Sequence, residues 1–154
     1  MTSQNIDKKA YKTELARKYT LFLSKYPEIF SDLINGSNFD FALYNSFEAY
    51  DNESPIDIFN VYRNEQGIEI KPGRAIESDL ELALSVNAVE KLIQTKTKAE
   101  YAQLLGFFYN NPDEQKGWID FTLHKRTQTI IEMGYGRFAQ TAGLIENDGS
   151  IIKL

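Results

Sequence analysis

The chain of 154 residues contains no cysteine. This absence excludes disulfides, thiolate metal sites and cysteine nucleophiles, and it is compatible with a reducing compartment. His124 is the only histidine, so metal sites built on two or three imidazoles are excluded as well. A carboxylate site for a hard cation needs a dense acidic loop, and neither Asp51 with Glu53 nor Asp113 with Glu114 reaches that density. We therefore expect neither a metal nor another cofactor.

Signatures of nucleophilic catalysis are missing too. The sequence has no Gly-x-Ser-x-Gly elbow, and a Ser-His-Asp arrangement would have to use His124 as its base. The segment Gly134-Tyr135-Gly136-Arg137 could present backbone N–H groups and a guanidinium to an anion, which makes Arg137 a candidate anion contact. Its glycines do not have the spacing of a Rossmann or Walker loop, and a helix kink is the alternative interpretation. No catalytic residue is predicted.

Basic residues are fewer than acidic residues in this sequence. The 17 basic and 22 acidic residues give a net charge of −5, whereas binding to phosphate backbones requires a clustered basic surface. We therefore expect no nucleic-acid partner. No run of 18 apolar residues occurs, and residues 1–9 lack the apolar core of a secretory signal. These features predict a cytoplasmic protein without stable membrane insertion.

Aromatic side chains are abundant. Ten phenylalanines, nine tyrosines and one tryptophan suit either a bulky core or an aromatic-lined pocket. The length favours a single domain over residues 1–154. Within it we expect an N-terminal helical segment (1–36), a sheet with covering helices (37–147) and a short tail (148–154).

Alternating apolar and polar residues predict five strands. In the clearest case Leu80, Leu82 and Leu84 alternate with Glu81 and Ala83, so one side of the strand is apolar. Gly67 can take the positive φ of a hairpin turn between the second and third strands. The predicted strands cover residues 39–44, 56–63, 68–71, 80–84 and 118–125.

Helical spacing predicts the covering elements. A first helix over residues 8–25 carries an apolar stripe, and a second, short helix opens at Pro27 and ends before Gly36. Asn87 with Glu90, and Thr97 with Glu100, resemble capping boxes of two further helices. A last helix over residues 126–145 is expected to bend or break at its paired glycines.

This order of elements resembles the sterol carrier protein 2 family. The resemblance rests on the run Asp79-Leu80-Glu81-Leu82-Ala83-Leu84-Ser85 followed by Asn87-Ala88-Val89-Glu90-Lys91-Leu92, and it extends from Phe39 to about Ile145. It implies an α+β fold with a five-stranded sheet, helices packed on one face, and an apolar cavity between the layers that holds a fatty acyl or sterol-like molecule. The residues that it suggests for the cavity wall are Leu104, Phe107, Phe108, Phe121, Met133, Tyr135 and Phe138.

Three functions stay open at this point. The first is non-catalytic binding or transfer of an apolar small molecule, favoured by the aromatic content and the missing catalytic sets. The second is a protein-interaction or assembly subunit with an exposed aromatic docking face, as a homodimer or with another protein. The third is a small enzyme that uses His124 and Arg137 around a polar pocket.

Overall fold

A computed structural model of the chain describes residues 11–144. Within them the predicted α+β fold with a five-stranded sheet is confirmed, and each strand lies within two residues of its predicted bounds. The strand order is β3-β2-β1-β4-β5. Strands β1 and β4 pair in parallel, and the other neighbours are antiparallel. The strands are β1 (Asn38–Tyr44), β2 (Asp57–Asn64), β3 (Gly67–Pro72), β4 (Leu80–Ser85) and β5 (Ile119–Leu123).

Helices precede, interrupt and follow the sheet in sequence. The α-helices are α1 (Glu14–Lys25), α2 (Phe47–Asn52), α3 (Val86–Leu92), α4 (Lys98–Asn110), α5 (Thr127–Ile130) and α6 (Gly136–Ala142). A 3₁₀ turn (Pro27–Phe30) follows α1, and a π-helical turn (Ile131–Tyr135) joins α5 to α6. In residues 11–144 no helix has the length and hydropathy to cross a bilayer.

The two faces of the sheet carry different cores. The large inner core contains the aromatic and leucine side chains of alternate strand positions, such as Phe41 and Leu82, packed against α1, α3 and α4. On the opposite, outer face Ala42 and Ala83 pack with Trp118. The short helix α2 covers this outer face through Ala49. The predicted helices on one face are therefore supplemented by one small helix on the opposite face.

Side-chain caps explain where the helices begin. The Thr97 hydroxyl accepts from the backbone N–H of Glu100 at 3.1 Å, as predicted for α4. The Glu100 carboxylate in turn accepts from the N–H of Lys96 at 2.7 Å, one residue before the cap. The capping box predicted at Asn87 is wrong, because Ser85 caps α3 and Asn87 lies inside the helix. Strand β4 therefore passes into α3 without an intervening loop.

Two helix predictions in the N-terminal part were too long. Helix α1 begins at Glu14 behind its cap Thr13, so residues 11–13 are not helical, and residues 8–10 lie outside the described part of the chain. The second helix is only the 3₁₀ turn, and Ile34, which falls within the range predicted for that helix, is 51% exposed. A turn this short leaves no helical face to bury Ile34.

The predicted break in the last helix is confirmed. Gly134 adopts a φ of +103° inside the π-helical turn, a conformation that side chains with a Cβ rarely take. Gly143, with a φ of +81°, ends α6 earlier than the predicted end at residue 145, which lies outside the described residues, as does the expected tail 148–154. We call the continuous segment of α5, the π-helical turn and α6 (residues 127–142) the roof segment.

Candidate apolar binding cavity

A cavity of about 110 Å³ lies between the inner face of the sheet and the helices, and its lining is almost entirely apolar. Its floor consists of two rows of side chains that run across three neighbouring strands. The rows are Phe39, Leu80 and Leu123, and Phe41, Leu82 and Phe121. Because each row follows the pairing register, the floor is set by the sheet itself.

Helical elements close the cavity from above and from the side. Tyr101 and Leu105 of α4 contribute one wall, and Ile29 and Phe30 of the 3₁₀ turn contribute another. The roof segment provides the largest helical share of the lining: Thr127, Ile130, Ile131, Tyr135, Gly136, Phe138 and Ala139.

The size of the cavity limits its guest. An engineered apolar cavity of roughly 150 Å³ in another protein binds benzene or xenon, so about 110 Å³ suits a small ring or the end of a hydrocarbon chain. A longer molecule would have to protrude or displace the roof segment. The cavity is partly open, and the lining residues that keep solvent exposure belong mostly to β5 and the roof segment, including Leu123, Thr127 and Ala139. The opening therefore lies between the edge strand and the roof.

A buried carboxylate fastens the roof segment to the sheet. Asp79 is fully buried, and its Oδ2 accepts from the hydroxyl of Tyr135 at 2.7 Å and from the N–H of Asn38 at 2.9 Å. Its Oδ1 accepts from the ammonium of Lys125 at 2.5 Å. Burial, and then the adjacent carboxylate, raises the pKa of Tyr135, so this hydroxyl stays a donor. A polar network thus holds one residue of the apolar lining in place.

Close backbone approaches fix the roof at two further points. A Cβ on Gly134 would lie 2.0 Å from the carbonyl oxygen of Asp32, and the neighbouring Met133 carbonyl accepts from the N–H of Ile34 at 2.9 Å. A Cβ on Gly106 in α4 would lie 1.7 Å from the carbonyl oxygen of Ala142. Only glycine permits these contacts, so both positions determine how near the roof comes to its neighbours.

A pair of tyrosine hydroxyls lies in the core beside the cavity. The hydroxyl of Tyr101, whose side chain lines the cavity, is hydrogen-bonded to the hydroxyl of Tyr19. Both residues are fully buried, at 0% and 1% exposure for Tyr19 and Tyr101. Burial raises the pKa of both phenols, so each keeps its hydrogen at neutral pH.

The structure brings three of the seven suggested wall residues together: Phe121, Tyr135 and Phe138 line the cavity. The other four lie elsewhere. Phe107 is 52% exposed, Phe108 is buried in the core outside the lining, and Leu104 and Met133 are partly buried outside it. On α4 the residues that line the cavity are Tyr101, Leu105 and Tyr109, at successive spacings of four, rather than Leu104 and Phe107.

Sequence reasoning missed most of the floor and the wall formed by the 3₁₀ turn. The available signal was the alternation in β1, β4 and β5, which identified the apolar side of each strand. It could not place Phe39 beside Leu80, because strand pairing and register between distant segments are not visible in a single sequence.

The candidate polar residues do not form a second site. Arg137 is exposed and is not part of the cavity lining. His124 lies with its Nδ1 3.0 Å from the hydroxyl of Ser78, but the nearby Asp79 carboxylate is bonded to Lys125, Tyr135 and a backbone N–H instead of the imidazole. Among residues 11–144, no group of three histidine, cysteine or acidic side chains could hold a metal ion.

No protein-family model, curated protein or solved structure matches the chain. The cavity and its surroundings are therefore the basis for the function proposed next.

Proposed function

We propose that this protein binds an apolar small molecule in the cavity between sheet and roof, without catalysis, as a carrier or binding module. The observation that supports this most is an almost wholly apolar, partly open cavity in the centre of a chain whose remaining core is densely aromatic. The same arrangement is what the resemblance to the sterol carrier protein 2 family implies. A cytoplasmic location fits the absence of cysteine and is part of the proposal.

An empty cavity is costly to a folded protein. At about 24 cal/mol per Å³, a sealed and unfilled space of about 110 Å³ would cost roughly 3 kcal/mol of stability, which is an upper bound for this partly open cavity. This is a large part of the roughly 5–15 kcal/mol by which native proteins are stable. Simple enlargement of a lining residue such as Ala139 could reduce the void. A volume kept open at this expense supports a binding role.

The two alternative functions have less support. Within residues 11–144 the large exposed apolar residues are spread over several helices, a strand and two loops: Leu21, Ile34, Phe47, Tyr62, Ile76 and Phe107. An enzymatic role for His124 and Arg137 would need a polar pocket beside them, and the described residues show an apolar one. Both alternatives stay predictions without a specific observation in their favour.

The proposal is tested by blocking the cavity. Ala139 lies in the lining next to Gln140, which is exposed on the same helix. Benzene binding is measured by protein NMR titration for the wild type, Ala139→Phe and the control Gln140→Phe. We expect Ala139→Phe to weaken binding by about tenfold or more, a free-energy loss of about 1.4 kcal/mol, and Gln140→Phe to leave it unchanged.

Thermal unfolding of both variants shows whether the fold is retained. No saturable benzene binding to the wild type, or equal binding by all three proteins, would refute the proposal. Native mass spectrometry of gently purified protein, which reports co-purified small molecules and subunit number together, would identify the natural guest and any dimer.

A further inference from the structure

The paired hydroxyls of Tyr19 and Tyr101 leave one hydrogen unused. Each phenol carries one O–H donor and can accept through its oxygen. In a hydroxyl–hydroxyl bond only one of the two hydrogens is donated, so the accepting phenol still has its own hydrogen to place. Within residues 11–144 neither hydroxyl has a second hydrogen-bond partner.

An unused donor at this depth is unfavourable. Leaving a buried polar group without a partner costs about 1–3 kcal/mol, and both tyrosines are almost completely shielded from solvent. The neighbouring phenylalanine rings offer no oxygen or nitrogen acceptor to either hydroxyl. Tyr19 packs on Phe41 and Phe59, and Tyr101 packs on Phe22 and Phe138. The cavity beside Tyr101 is where an acceptor could enter.

We propose that the guest is a neutral apolar molecule with one oxygen acceptor, and that the hydroxyl of Tyr101 donates to this oxygen while Tyr19 donates to Tyr101. The inference rests on the proposed binding function and adds the chemical class of the ligand. Tyr101 is the direct contact because its side chain lines the cavity, whereas that of Tyr19 does not. Tyr19 is a positioning residue that turns the hydrogen of Tyr101 towards the guest.

The charges around the cavity favour a neutral acceptor over a carboxylate. Among residues 11–144 the only charged residue in the lining is Asp32, whose carboxylate is paired with Lys98 at 2.5 Å. None of these described lining residues is a cation that would balance a buried anion, and burying an unpaired charge is far more costly than burying a carbonyl. Ketones, esters and similar neutral oxygen compounds fit this environment.

The test compares two small molecules of the same shape. Cyclopentanone and methylenecyclopentane differ in C=O against C=CH₂, and both approach the size of benzene. Dissociation constants are measured by NMR titration for the wild type, Tyr101→Phe and Tyr19→Phe, and the ratio of the two constants is compared between proteins. Differences in water solubility cancel in this comparison.

We expect Tyr101→Phe to reduce the relative preference for cyclopentanone by about 2- to 10-fold, the worth of one hydrogen bond. Tyr19→Phe should keep most of the preference, because Tyr101 retains its hydrogen. In the wild type and in Tyr19→Phe, the ¹³C carbonyl resonance of bound cyclopentanone should also lie downfield of its position in an aprotic apolar solvent, a readout that does not depend on Tyr101→Phe folding.

The outcomes separate the inference from the function on which it rests. If both compounds bind but the ratio of their dissociation constants is the same in Tyr101→Phe as in the wild type, or the carbonyl resonance of the bound ketone lies at its position in an aprotic apolar solvent, the inference alone is overturned. If neither compound binds the wild type, the binding function and the inference are overturned together.

Discussion

Replacing Asp79 should loosen the roof segment and lower the stability of the protein by a predictable amount. Asp79→Ala removes the acceptor of the Asn38 N–H and the nearer of two acceptors of the Tyr135 hydroxyl, which also lies 3.4 Å from the carbonyl oxygen of Asn38. Hydrogen bonds to a charged group contribute about 1.5–3 kcal/mol each, so the loss of two should lower the free energy of unfolding by about 3–6 kcal/mol. The ammonium of Lys125 adds little, because its side chain is 44% exposed and solvent screens the pair.

Asp79→Asn separates shape from charge. The amide oxygen can still accept from Asn38 and Tyr135, while Lys125 can turn into solvent. The expected loss is therefore smaller, about 1–2 kcal/mol, the difference between a charged and a neutral acceptor. Glu77→Ala is the control, because Glu77 is exposed two residues away and should change stability by no more than about 0.5 kcal/mol.

Urea unfolding is the assay, followed by far-UV circular dichroism and by the fluorescence of Trp118, the single tryptophan. Trp118 is buried on the outer face of the sheet, away from the substitution, so coincident transitions would support two-state unfolding. A loss below about 1 kcal/mol for Asp79→Ala would refute the argument that this carboxylate fastens the roof. Equal losses for the alanine and asparagine variants would refute the assignment of the charge contribution.

Three further predictions concern other parts of the fold. Gly106→Ala places a Cβ against the carbonyl oxygen of Ala142 and should cost about 1–3 kcal/mol in urea unfolding, because α4 and α6 must separate. Ser85→Ala removes the cap of α3 and the acceptor for the N–H of Trp118 at 3.0 Å, so it should cost about 2 kcal/mol in thermal unfolding. Burial raises the pKa of Tyr50 to about 12, above the value near 10 of an unfolded tyrosine, so its contribution to stability is complete below about pH 10 and is lost as the pH rises towards 12. Tyr50→Phe should make that loss shallower in urea unfolding repeated across this pH range.

Each of these predictions can be contradicted directly. Gln103→Ala, on the exposed side of α4, is the control for Gly106→Ala, and Ser24→Ala, on the exposed side of α1, is the control for Ser85→Ala. If a variant loses no more stability than its control, the close approach at Gly106 or the cap at Ser85 contributes nothing. A pH profile of Tyr50→Phe that is identical to that of the wild type would contradict the third prediction.

The strands were predictable because their pattern is local. Alternation in Leu80, Leu82 and Leu84 depends only on one side of the strand being buried, and all three side chains lie in the inner core. The helix break at Gly134 was predictable for the same reason, since the cost of glycine in a helix is a local property. Helix α2 was missed because six residues are too few to show a helical period.

The candidate site was less predictable because it depends on contacts between distant segments. The hydroxyls of Tyr19 and Tyr101 meet across 82 residues of sequence, and the Asp79 carboxylate reaches Tyr135 across 56. The suggested wall residues came from α4, β5 and the roof segment, but which side of α4 faces the cavity depends on how α4 packs against the roof, where Gly106 approaches Ala142. Neither contact has a spacing that a single sequence reveals.

These long-range contacts also explain why a cavity remains where side chains could have filled it. The roof segment is held at its middle by the backbone contact of Gly134 with Asp32 and the hydrogen bond of Tyr135 to Asp79, and at its C-terminal end by the contact of Ala142 with Gly106. Polar and backbone contacts of this kind fix the height of the roof without requiring that the space beneath be filled. If only apolar packing held the roof segment, it would move towards the sheet until the cavity closed, because the lining side chains would then regain van der Waals contacts. The volume is therefore a consequence of how the roof is attached, and the attachment and the lining side chains together set the size of guest that fits.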